Sequence, residues 1–153
     1  GDYKKAYDCF TRSIKLNEEF GDKRTLGWSL CKMGEYHLDS DNYKKAVSYL
    51  EKALKIARKL NLKGYFNALV LLYLCYKNLG NGYDKKEIQQ LIKKEERIDY
   101  KLNYNLYQLL EDTSYLETAY NQVQEKASAM EDAAKFLSYP IPKAIVEEWE
   151  KVK

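Results

Sequence analysis

Nucleophiles, general bases and metal ligands are few in this chain. His37 is the only histidine, and no serine or cysteine stands beside it in a nucleophile motif. It falls at a packing position of a helix and reads as a core side chain. Cys9, Cys31 and Cys75 lie inside helical apolar patterns, where a thiol behaves as a small hydrophobe. Three cysteines and one histidine make neither a disulfide framework nor a zinc site of usual composition, so no metal and no cofactor are expected. Gly80-Asn81-Gly82 has neither the preceding strand nor the lysine of a phosphate-binding loop. The acid pair Glu95-Glu96 reads as solvated helix surface. No residue is assigned a catalytic role, and the chain is read as a non-enzyme.

The remaining chemistry is recognition. Lys85, Lys86, Lys93, Lys94, Arg97 and Lys101 form the strongest candidate for contact with nucleic acid. Glu87, Glu95, Glu96 and Asp99 are interleaved with them and cancel most of the field, so a solvated helix face is the preferred reading. The net charge of +3 demands neither a nucleic acid nor a membrane partner. Fifteen tyrosines could stack on bases, but Tyr3, Tyr43, Tyr73, Tyr76, Tyr104 and Tyr107 sit on helical stripes, where packing accounts for them.

These side chains must be carried by helices. With 153 residues the chain can bury a core without disulfides, and two prolines and seven glycines leave room for long helices. Tyr3, Ala6, Tyr7, Phe10 and Ile14 form one helical stripe, interrupted at Gly21-Asp22. A second helix is predicted over 25–38, burying Leu26, Leu30, Met33 and His37. After the polar turn 39–42, Tyr43, Ala46, Val47, Leu50, Ala53, Leu54, Ala57 and Leu60 mark the clearest helix. The segment 65–79 is apolar on most sides, as in a helix packed on two faces, and ends at a glycine cap. Ile88, Leu91, Ile92 and Ile98 mark a further helix. Two more are predicted over 100–110 and 115–136, with Ser114 as a cap, and a last one carries Pro142 in its first turn. No period-two segment survives, so the fold is all-α. No apolar run reaches the ~18 residues of a membrane span, and the reduced cysteines point to the cytoplasm.

The chain also repeats itself. Tyr3-Lys4-Lys5-Ala6 recurs as Tyr43-Lys44-Lys45-Ala46, forty residues on, and Phe10, Ser13 and Lys15 correspond to Leu50, Ala53 and Lys55. Leu30, Met33 and Gly34 in one helix, followed by Ala46, Leu50 and Ala53 in the next, resemble the tetratricopeptide repeat. His37 stands where that family usually has tyrosine. The forty-residue spacing is similar to the long-helix variant of kinesin light chains, peptide-pheromone receptors and bacterial signalling proteins. The resemblance implies a right-handed superhelical solenoid of antiparallel helix pairs, a single array over 1–153 with a capping helix over 139–153. The first unit shows only its second half and the chain lacks an initiator Met, so it is expected to be the C-terminal part of a longer regulatory protein.

The family binds ligands in the concave groove lined by the first helix of each pair. Counting from Gly34 implies a groove of Trp28, Cys31, Glu35 and Asp39, then Asn67, Val70, Leu74, Lys77 and Asn78, then Tyr104, Gln108 and Glu111. The lysine–asparagine–arginine set with which some members clamp a C-terminal carboxylate is not matched. A protein or peptide ligand with apolar anchors and basic residues is therefore expected. A peptide-sensing regulator resembling the pheromone receptors is the alternative reading, and nucleic-acid binding through the lysine-rich helix a weaker one. Tyr3, Tyr7, Phe10 and Ile14 form a face that the repeat leaves without its partner, and this end is expected either to self-associate or to dock on an upstream domain of the parent protein.

Overall fold

The structure, a computed structural model, describes residues 2–62 and 64–153. Among the described residues every regular element is helical: α1 (Asp2–Phe20), α2 (Lys23–Asp39), α3 (Tyr43–Lys59), α4 (Tyr65–Asn78), α5 (Lys85–Lys94), α6 (Tyr100–Leu110), α7 (Thr113–Ser128), α8 (Ala133–Leu137) and α9 (Pro140–Val152). The all-α expectation therefore holds. No described helix is long and apolar enough to cross a membrane.

Local chemistry sets both ends of these helices. Asp22, Asp99, Asp112 and Asp132 each turn a carboxylate onto a backbone N–H of the following turn, with Asp22 accepting from Thr25 at 3.1 Å and Asp99 from Leu102 at 2.8 Å. At the other ends the chain reverses through left-handed residues: Gly21 (φ 72°), Asp41 (φ 56°), Asn61 (φ 51°) and Gly80 (φ 76°). Three of these ends share one bonding pattern. The N–H groups of Asn42, Leu62 and Asn81 reach back to the carbonyls of His37, Ala57 and Tyr76 at 2.8, 2.9 and 2.8 Å, satisfying acceptors the helix would leave open.

The chain forms two compact units, residues 1–91 and 92–153. In the first, α1 packs on α2, α2 on α3 and α3 on α4. Connections of a few residues force each neighbour to run antiparallel. α3 buries Ala46, Leu50, Ala53, Leu54 and Ala57, the stripe read from the sequence. α4 is buried on all sides from Ala68 to Cys75, and burial pushes the Cys75 thiol up to about 11. α5 is held by one carboxylate: Glu87 accepts from Tyr73 Oη at 2.8 Å, from Tyr65 Oη, and from Arg58 Nη2 at 3.1 Å. Burial works to raise the Glu87 acid, but the tyrosine hydroxyls and the guanidinium outweigh it and hold the carboxyl below its ordinary range.

His37 is a core side chain, 6% exposed. Its ring stacks on Tyr49 at 5.4 Å and meets Tyr36 and Tyr7 edge-on. Burial, aided by the charge of Lys45, lowers its basicity.

α1 differs from α3 although its sequence repeats it. Tyr3 and Tyr7 contact Tyr36, Phe10 meets Trp28 edge-on at 6.1 Å, and Ile14 packs beside Leu26 and Leu30. The four side chains expected to lack a partner thus turn toward α2, because one helix phase brings all of them to that side; only Tyr3 keeps most of its surface exposed. The apolar side chains left open on α1 also include Leu16 (50% exposed) and Phe20 (81%). They correspond to Ile56 of α3 and to Leu60, which caps its C-terminal end.

The second unit is centred on α7, which packs against α6, α8 and α9. Leu116, Ala119, Val123, Ala127, Phe136 and Ile145 are its core, with Trp149 stacked on Tyr120 at 5.6 Å. Several boundaries differ from expectation. The helix expected over 115–136 starts at Thr113 and breaks after Ser128, because Asp132 caps a new turn on Lys135 N at 2.9 Å. Asp112, not Ser114, caps α7. Ile98 lies beyond α5, its carbonyl taken by Asn103 and Gln122 side chains. The last helix runs from Pro140 to Val152, with both prolines in its first turn, where a missing N–H costs nothing.

Candidate functional site

Arg24, Trp28 and Lys32 follow one another at four-residue steps along α2 and so share one face of the helix. Below them, Gly27 and Cys31 belong to the same helix but present almost no bulk. A Cβ placed on Gly27 would lie 3.1 Å from Ile56 Cγ2, so its absence lets α2 settle closely on α3. α3 contributes Ala53 and Ala57, and α4 contributes Ala68. A floor of glycine and alanine between taller walls leaves a hollow of about 570 Å³. Leu60, Asn61 and Leu62, in the turn that Asn61 reverses, and Asn67 at the start of α4 make the opposite rim. Asn67 Nδ2 stands 4.0 Å from Cys31 Sγ across the hollow.

The electrostatics of this hollow differ from the expectation of an acid-bearing groove. Among the described residues its charged walls are Arg24 and Lys32, both cationic. Lys32 Nζ lies 6.0 Å from the Trp28 ring centre and 3.1 Å from Glu35 Oε2. Glu35 is buried beneath that pair and does not line the hollow. Trp28 is 56% exposed. An exposed tryptophan between two cations, above a floor of small side chains, can hold one bulky apolar group and attract negative charge beside it.

The structure brings together three of the residues expected to line a groove: Trp28, Cys31 and Asn67. Val70 (0% exposed) and Leu74 (4%) are core instead; α4 is buried all round, so its groove register was misread. Asp39, Lys77 and Asn78 sit toward the far ends of α2 and α4, away from the hollow, and Asn78 bonds its own helix at the Leu74 carbonyl (2.9 Å). Tyr104, Gln108 and Glu111 belong to the second unit. There Tyr104 stacks on Tyr107 at 6.3 Å, Gln108 is exposed, and Glu111 ends α6 with φ 57°. The residues missed by sequence reasoning are Arg24 and Lys32 and the alanine floor. The four-residue spacing around Trp28 was the available signal for the cations.

The lysine-rich segment is divided between the units, with Lys85 and Lys86 in the first and Lys93, Lys94, Arg97 and Lys101 in the second. Arg97, Lys101 and Lys126 do share a hollow of about 600 Å³, but Asp99 and Glu125 line it with them. Its charges are therefore mixed, as the interleaved sequence implied.

Two features define the first unit: helices joined at half-repeat turns, and Gly34 seated against Leu50 on the neighbouring helix. A family model described as tetratricopeptide repeat matches residues 1–59, which take in α1, α2 and α3. Residues 1–59 belong to the tetratricopeptide repeat family. No curated protein and no solved structure matched the chain.

Proposed function

We propose that the chain is a non-catalytic binding module that takes up a peptide or an extended protein segment in the hollow between α2, α3 and α4. The observation that carries this reading is Trp28: a large apolar ring more than half exposed over a floor of glycine and alanine. Exposed aromatic anchors beside a recess are where binding energy concentrates. The tetratricopeptide assignment of 1–59 supports the same function class. The expected organisation, one array over 1–153 capped by 139–153 in a larger bacterial signalling or regulatory protein of the cytoplasm, is part of this proposal. It is supported by the forty-residue period and by helices of 19, 17 and 17 residues.

The test is selection of displayed random peptides on the intact chain, followed by binding measurements on wild type and Trp28→Ala, with circular dichroism to verify folding. Selected peptides should lose at least about tenfold in affinity for the variant. Peptides that bind both forms equally would exclude the hollow as the working surface.

A second reading, association with a copy of the same chain, is favoured by the exposure of Leu16 and Phe20 on α1. It uses a different face of the helix from the one expected, since Tyr7, Phe10 and Ile14 pack on α2.

A further inference from the structure

We infer that the ligand of the α2–α4 hollow is an acidic, extended segment of the form acid–x–apolar–x–acid, with its apolar side chain seated beside Trp28. This inference rests on the hollow being the binding surface proposed above.

Charge decides the sign. The walls carry Arg24 and Lys32, and no described carboxylate lines the hollow. Two acids stand close by, each beside one of the cations: Asp22, which caps α2 on Thr25 and feels the charge of Arg24, and Glu35, which pairs with Lys32. Both cations are thus partly balanced, and Arg24, exposed at the rim, adds a planar guanidinium that can hold a ligand carboxylate through two hydrogen bonds.

Spacing decides the form. Arg24, Trp28 and Lys32 are separated by four residues each, about 6 Å per step along a helix. Alternate residues of an extended chain are about 7 Å apart and point to the same side. Three alternate side chains of an extended segment therefore meet Arg24, Trp28 and Lys32 in turn. A helical ligand would need its two acids eight residues apart to span the same distance. Asn61 and Asn67 on the opposite rim supply side-chain amides, which can both donate to and accept from the backbone of an extended chain. The central side chain has room because the floor beneath Trp28 is Gly27, Ala53 and Ala57.

The experiment uses fluorescein-labelled synthetic peptides with leucine at the centre and glutamate, glutamine or lysine at both flanking positions, read by anisotropy on the full chain. The glutamate peptide should bind at least about tenfold more tightly than the lysine peptide. Arg24→Glu should reverse that order, and Trp28→Ala should weaken every peptide. A lysine or glutamine peptide that binds as tightly as the glutamate one overturns the acidic preference. A glutamate peptide that fails to bind overturns the inference while library-selected peptides still depend on Trp28; if those are also indifferent to Trp28, the hollow itself is excluded.

Discussion

Gly34 is seated directly against Leu50: a Cβ added to Gly34 would stand 2.5 Å from Leu50 Cγ and 2.7 Å from Cδ2. Leu50 is fully buried, so its side chain has no solvent to swing into. Gly34→Ala should therefore destabilise the chain by about 1–3 kcal/mol, through overpacking of α2 on α3. Gly64→Ala, where nothing lies within 4 Å, is the control and should change stability little. Urea unfolding of the two variants checks the contrast, and equal midpoints would refute it.

His37 should make stability depend on pH near neutrality. Its folded-state basicity lies below the ordinary 6.5 because burial and Lys45 oppose the charged form. Above pH 6.5 both states are neutral and the stabilisation is complete. As pH falls below that value the unfolded chain takes up a proton that the folded chain resists, so stability declines. Urea midpoints at pH 7.5, 6.5 and 5.5 should fall for wild type and fall less for His37→Phe, which keeps an aromatic ring against Tyr49. A wild-type midpoint independent of pH over this window would contradict the assignment.

Glu87 should control the docking of α5. Removing its carboxylate leaves Tyr65, Tyr73 and Arg58 without their common acceptor. Glu87→Ala is expected to cost about 1–3 kcal/mol, the usual penalty for stranding partly buried donors. Hydrogen exchange should locate the change: amides of α5 exchange faster while those of α2 keep their protection. Uniform acceleration through the first unit would mean that the carboxylate does not act locally.

If α1 is an association surface, it works through Leu16 and Phe20. Sedimentation velocity of wild type should show the average mass rising with protein concentration, and the Leu16→Glu, Phe20→Glu double variant should remain monomeric. A monomeric wild type over the same range removes this surface from consideration.

Much of the fold was legible because apolar spacing survives in single helices. The stripe from Ala46 to Ala57 predicted α3 and its buried face, and the spacing around Leu30 and Met33 placed α2. The break between α7 and α8 was not legible. Residues 128–133 contain no glycine or proline, and apolar side chains continue across them; only Asp132, bonding Lys135 N, marks the restart. The site was read in part for a related reason. α2 has a polar face that fixes its rotation, so the count from Gly34 reached Trp28 and Cys31, which line the hollow. α4 has none, and without a polar stripe the count along it assigned buried Val70 and Leu74 to an open groove. The alanine floor escaped because a small side chain advertises close packing and empty space in the same way.

Gly21, Asp41, Asn61 and Gly80 fall about twenty residues apart, and each reverses the chain. The elementary cassette of the first unit is therefore one helix with its turn, half the length of the sequence repeat. Parity then becomes a constraint on rearrangement. Inserting or deleting a single cassette inverts the direction of the helices that follow within the first unit and carries Trp28-type and Ala46-type helices to the wrong sides. Only changes by pairs leave the downstream polarity intact, so the forty-residue period is the shortest length by which this chain can grow without turning its own surface inside out.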